Sequence, residues 1–98
     1  MKLPVIWSVA SKTEFAELLQ FLDREFGTDT ALDILDKTEA VVEKTARFPF
    51  MHQSSDSRKD IRRAVINRHT SLFYRVKNNT VELLHFWDNR RDPDERPY

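Results

Sequence analysis

The last third of the chain carries three β-type runs separated by two short polar turns. No other feature restricts the fold as much. Ile61–Asn67, Thr70–Val76 and Thr80–Trp87 are rich in β-branched and aromatic residues and read as an antiparallel meander. Asn78-Asn79, between Lys77 and Thr80, suits a two-residue turn in which both central residues take positive φ. That turn sets Val76 opposite Val81, Arg75 opposite Glu82, Tyr74 opposite Leu83 and Leu72 opposite His85. Because pleating alternates faces, Leu72, Tyr74, Val76, Val81 and Leu83 share one side. Ser71, Phe73, Arg75, Glu82, Leu84 and Phe86 share the other. With Arg68-His69 as the earlier turn, Arg62, Ala64 and Ile66 join that second face. A one-residue slip brings Arg63 there instead.

Upstream, Pro4–Val9 reads as a short opening strand. Ser11-Lys12-Thr13-Glu14 has the spacing of a capping box at a helix start. Phe15, Leu18, Leu19, Leu22 and Phe26 then form one helical stripe. Gly27, the single glycine, stands where a left-handed C-cap belongs. Thr28, Asp29 and Thr30 offer caps for a second helix carrying Ala31, Ile34, Leu35, Val41 and Val42. So short a connection makes an antiparallel helix pair. Arg47–Lys59, with Pro49 and the polar cluster Gln53–Ser57, is a tether. The expected fold is α+β in the order β-α-α-β-β-β, a small, mainly antiparallel sheet with a two-helix hairpin packed on one face.

Composition narrows the function classes. A chain of 98 residues makes one domain, residues 1–98, because it cannot divide its core in two. With no cysteine, disulfides and thiolate metal sites are excluded, which fits a reducing cytoplasm. The three histidines, His52, His69 and His85, lack paired ligand spacing, so no metal or other cofactor is expected. No apolar run reaches the ~18 residues of a membrane span. The net charge of zero is unevenly distributed. Residues 1–57 hold six Lys/Arg against ten Asp/Glu, and residues 58–98 hold ten against six. The basic half points toward an acidic or polyanionic partner.

The order strand, helix hairpin, meander is joined by Ile61-Arg62-Arg63-Ala64-Val65, Leu72-Phe73-Tyr74-Arg75-Val76 and the terminal Asn89-Arg90-Arg91-Asp92-Pro93. In these features the chain resembles the RelE/ParE family, the toxin halves of bacterial type II toxin–antitoxin, or plasmid-stabilisation, pairs. The resemblance implies a cytoplasmic growth inhibitor neutralised by a cognate antitoxin, and it leaves two activities open. RelE-like members are similar to metal-independent RNases, mRNA interferases that cut messenger RNA on the ribosome. ParE-like members poison DNA gyrase without that chemistry.

On the nuclease reading the catalytic candidates are Arg62, His69, Arg91 and Tyr98. The resemblance implies Arg62 and Arg91, and Tyr98 lies near but not at the place of a terminal aromatic. His69 is a substitute cation that the resemblance does not itself supply. Two departures count against that reading. Ser71 stands where those nucleases place a central Arg, and Ala64 replaces a second basic residue. A hydroxyl cannot neutralise a crowded phosphate by charge. The gyrase-type, non-nucleolytic reading is therefore preferred, with Arg62, Phe73, Arg75, Leu84, Phe86, Arg90 and Arg91 as the surface for target or antitoxin. Plainer roles exist for several of these. Arg75 and Glu82 make a cross-strand ion pair, His85 a half-buried core imidazole, and Tyr98 a frayed end.

Overall fold

The computed structural model describes residues 1–98. Its elements are β1 (Val5–Trp7), α1 (Val9–Phe26), α2 (Thr28–Arg47), β2 (Ile61–Val65), β3 (Thr70–Lys77), β4 (Thr80–Asp88) and a 3-10 turn at Pro93–Glu95. The sheet order is β1-β4-β3-β2. β1 runs parallel to β4, and the other two pairings are antiparallel. This is the α+β arrangement expected from the sequence. No helix is long and apolar enough to cross a membrane.

The helices cover one face of the sheet. Phe15 and Ile34 pack on Ala64, Ile66, Leu72, Tyr74, Val81, Leu83 and Phe86, with Leu18, Leu19, Leu22, Leu35, Val41 and Val42 around them. Phe15 and Phe86 stack with ring centroids 4.9 Å apart, and Trp7 lies within 5.7 Å of both. Burial of these aromatics contributes strongly to the stability of the fold.

Helix α1 begins earlier than the Ser11–Glu14 box suggests. Its N-cap is Ser8, whose extended backbone closes β1 and whose Oγ accepts the Ser11 amide at 3.0 Å. The same hydroxyl donates to the Leu84 carbonyl at 2.9 Å, tying the helix start to β4. Glu14, freed from capping, turns to the sheet. Its carboxylate accepts the Phe86 amide at 3.0 Å, at the edge of β4 beyond the end of β1.

Both strand registers depart from the simple alternation. β3 and β4 pair as expected from Val76↔Val81 through Tyr74↔Leu83, after which a bulge intervenes. Phe73 then faces His85 and Leu72 faces Phe86, rather than Leu72 facing His85. The extra residue flips the rest of β4, so Phe86 lies in the helix-side core and not on the open face where strict alternation places it. β2 is displaced by one residue, with Val65↔Ser71, Arg63↔Phe73 and Arg62↔Tyr74. The turn consumes Asn67, Arg68 and His69, because the Asn67 Oδ1 accepts both the His69 and Thr70 amides at 2.9 Å while Ile66 N–H bonds the Thr70 carbonyl. Ala64 and Ile66 therefore lie beneath the helices. Arg63, not Arg62, takes the helix-free face.

Asn78 and Asn79 have φ of 55° and 56°, as their turn requires. Gly27 differs from the expected left-handed cap: φ is 96° but ψ is 164°, a region essentially reserved to glycine. Its N–H bonds the Asp23 carbonyl at 3.1 Å and its own carbonyl accepts the Ala31 amide at 3.3 Å, so one residue closes α1 and opens α2. A Cβ at this position meets nothing within 4 Å. The cost of Gly27→Ala is thus purely conformational, and urea denaturation should show a loss of about 1–3 kcal/mol. Unchanged stability would refute the assigned geometry.

Candidate functional site

The helix-free face has a small apolar core of its own. Ile61, Phe73 and Trp87 are buried there with Leu84 and Tyr98 against them. Sequence alternation leaves Phe73 bare, yet only 1% of it is exposed. The cover is the chain's own C-terminal tail. The Asp92 side chain accepts the Asp94 amide at 3.0 Å and turns the tail back, bringing the Tyr98 ring within 5.6 Å of Phe73 and 5.8 Å of His85. The Arg91 guanidinium lies 4.6 Å from the Trp87 ring, a cation–π contact. Phe73 and Phe86 are therefore not open to a partner, contrary to the sequence expectation. Leu84 is partly exposed beside the tail.

Next to this patch lies a cationic network. Arg63 donates from Nε to Ser71 Oγ at 3.0 Å and from Nη2 to Asn89 Oδ1 at 2.9 Å. Ser71 donates to the same Asn89 oxygen at 2.8 Å. Burial, and after it the charge of Arg96, pushes the Arg63 pKa below its ordinary value. An arginine so shifted is still a cation at neutral pH. A guanidinium thus reaches fully buried Ser71 from the neighbouring strand. Arg96 escaped the sequence reading, Asn89 entered it only as part of the terminal motif and without a role, and Arg63 only through the slipped register. The signal for Arg63 was Asn67, whose side chain can close a longer turn.

The other candidates are dispersed. Arg62 points to the tether, donating to the His52 carbonyl at 2.6 Å and the Phe50 carbonyl at 3.2 Å, with the Phe50 ring 5.2 Å away. Beside it, the Tyr74 hydroxyl donates to the Pro49 carbonyl at 2.7 Å, and burial raises its pKa to about 12. His52 Nε2 lies 3.2 Å from Thr45 Oγ1. Arg62, Tyr74 and His52 together clasp the tether to the fold. His69 is exposed in its turn. His85 faces Phe73 rather than Leu72, with Nδ1 3.1 Å from the Glu14 carboxylate. Arg75 and Glu82 form the expected cross-strand pair at 3.4 Å, worth about 0.2–1 kcal/mol.

At the far end of the sheet, Arg90 pairs with Asp88 at 2.9 Å and holds that carboxyl below the usual carboxylate range. Arg91 pairs with Glu95 at 3.0 Å. These side chains rim a groove of about 690 Å³ whose apolar wall is Leu18, Phe21, Leu22 and Phe26 of α1. Phe21 and Phe26 are 39% and 63% exposed, so the outer stripe of α1 is unpartnered. Of the four residues named for catalysis on the nuclease reading, Arg91 and Tyr98 share the tail-covered patch. Arg62 is on the opposite side of the sheet and His69 in the turn at its end.

The family profile described as the ParE toxin of the type II toxin–antitoxin system, parDE, matches residues 5–93. The chain belongs to the ParE toxin family. Its fold is similar to the chromosomal ParDE toxin–antitoxin system from P. aeruginosa, with a TM-score of 0.75 at 13% identity, covering 89% of this chain and 96% of that one. A YoeB/ParE toxin from Agrobacterium tumefaciens aligns with a TM-score of 0.64 at 14% identity, over 88% and 98% of the two chains. The toxin–antitoxin complex RelBE2 from Mycobacterium tuberculosis gives 0.55 at 14% identity, over 91% and 100%. No curated protein sequence matches. At these identities the likeness is one of fold, and this ParE-family chain carries its own side chains on it.

The His52 clasp generates a pH prediction. Burial, followed by the charges of Lys44 and Arg62, depresses the His52 pKa below 6.5. The unfolded chain then binds this proton more readily than the folded one, so the contribution is complete above about pH 6.5 and is lost as pH falls through the folded value. Thermal melts of His52→Gln should therefore lose less stability between pH 7.5 and 5.5 than the parent. Identical slopes would remove His52 from the account.

Proposed function

We propose that this chain is the growth-inhibiting toxin of a type II pair, and that it acts in the cytoplasm by binding an essential target of the DNA gyrase type rather than by cutting RNA. The carrying observation is that Arg62 and His69 lie apart from the patch that Arg91 and Tyr98 share. RNA cleavage needs a base for the 2′-hydroxyl, cations for the phosphate and an acid for the leaving oxygen, all within reach of one bond. Arg62 commits Nη1 to two tether carbonyls on the other side of the sheet, and Tyr98 is packed against Phe73 and His85. The family match supports the toxin role itself. Arg90 and Arg91, at the exposed end of the sheet, supply the target contact. Their present ion pairs are exposed and weakly held, so a target carboxylate or phosphate can replace them.

The neutralising partner on this reading is a cognate antitoxin with an acidic, amphipathic helix, seated along Leu18, Phe21, Leu22 and Phe26 beside Arg90 and Arg91. A helix of that kind buries the unpartnered α1 stripe and meets the two arginines with its charge. A second reading, ribosome-dependent mRNA cleavage, draws support from one observation. Arg63 places a cation beside Ser71, where the sequence lacks one.

A supercoiling assay and primer extension on ribosome-bound mRNA separate the two. The expected result is inhibited supercoiling with intact message. Arg90→Glu with Arg91→Glu should raise the inhibitory concentration about tenfold or more. Ribosome-stimulated cuts that vanish on Arg63→Ala would instead establish the nuclease. Co-expression with the adjacent reading frame should yield a complex that Phe21→Glu disrupts, and co-purification unaffected by that substitution would place the antitoxin elsewhere.

A further inference from the structure

A second groove, of about 420 Å³, lies on the helix-free face between β2, the segment around Ser54 and the C-terminal tail. We propose that it is a binding site for a phosphate group, held by the guanidinium groups of Arg63 and Arg96. Neither the target contact at Arg90 and Arg91 nor the α1 stripe involves it.

The first argument is uncompensated charge. Both arginines line the groove, and none of the ion pairs in the chain uses either of them. Two like charges brought together beside a buried patch repel, and the cost stands until an anion arrives. Burial is the larger cause of the depressed Arg63 pKa, and the Arg96 charge, the second, reflects the same crowding. Free surface arginines ordinarily spread into water. Here the Arg96 Nε is shielded from solvent with no acceptor at all, a donor whose lost water has not been replaced.

Pre-organisation is the second argument. Ser71 and Asn89 hold two edges of the Arg63 guanidinium, which leaves Nη1 without a partner inside the protein. The opposite wall is fixed by backbone bonds, Arg63 N–H to the Gln53 carbonyl at 3.1 Å and Ser55 N–H to the Ile61 carbonyl at 2.6 Å. Ser54 and Ser55 add hydroxyl-bearing side chains to this wall. Guanidinium donors from two elements, joined by hydroxyls, suit a tetrahedral oxyanion with several acceptor oxygens better than a planar carboxylate, which one arginine can saturate. The groove also carries one opposing group, the exposed carboxylate of Asp56. Its presence weakens the site without filling it, because it pairs with neither arginine.

The test is a 31P NMR titration of inorganic phosphate with the full-length chain, in chloride buffer at constant ionic strength. Dimethyl phosphate serves as a second arm. The proposal expects saturable binding, weakened about tenfold or more by Arg96→Met and tightened several-fold by Asp56→Asn. Arg63→Met should abolish binding. Because that substitution also removes the partner of Ser71 and Asn89, the decision rests on Arg96→Met, with its thermal melt confirming the fold. Dimethyl phosphate binding as well as inorganic phosphate assigns the site to a phosphodiester, and binding of inorganic phosphate alone assigns it to a phosphate dianion. Absence of saturable binding in both arms overturns the proposal, and so does undiminished binding by folded Arg96→Met.

Discussion

The turn closed by the Asn67 carboxamide sets which residues of β2 face the helices, and the character of the helix-free face depends on it. With side chains alternating at a period of two, a shift of one residue exchanges the two faces of a strand completely. The three-residue turn delivers Ala64 and Ile66 to the helix-side core, where they are 0% and 8% exposed. It sends Arg63 to the network with Ser71 and Asn89 and leaves Arg62 to clasp the tether. The alternative register would carry Arg62 to the helix-free face only by moving Ala64 and Ile66 out of the helix-side core. Hydrophobic burial and the Asn67 hydrogen bonds thus favour the same pairing, and the chemistry of both faces follows from it.

The other sheet adjustment has a distant cause. The bulge in β4 turns Phe86 inward, where it stacks on Phe15, while Trp87 moves to the opposite face and receives Arg91 and the tail. Glu14 of α1 accepts the Phe86 amide across 72 residues of sequence and satisfies a strand edge that β1 is too short to cover. The bulge therefore gives the sheet two aromatic anchors, one under the helices and one under the tail. Without it, Phe86 would stand bare on the helix-free face.

The sequence carried the architecture well and the surfaces poorly, for definable reasons. The two amphipathic helices, the meander and the Asn78-Asn79 turn are encoded by local periodicity and local backbone preference, and they appear where those rules put them. Gly27 was legible as a helix boundary, although its ψ matches the start of α2 rather than an αL cap. Arg62 and Phe86 were misplaced because each depends on a single inserted residue, and the contacts that decide the insertion, Asn67 with its own turn and Glu14 with β4, compete with simpler readings of the same residues. The burial of Phe73 was illegible for another reason. A tail reading Asp92-Pro93-Asp94-Glu95-Arg96-Pro97 has no apolar pattern, and one aromatic, Tyr98, anchors it. Arg96 reaches its groove only through that anchor.

The most direct measurement is a set of cross-strand NOEs in an isotope-labelled sample of the chain. The account predicts contacts linking the backbone of Arg63 to Phe73 and of Val65 to Ser71. Contacts linking Arg62 to Arg75 and Ile66 to Ser71 would contradict it, because they would put Arg62 on the helix-free face and remove Arg63 from beside Ser71.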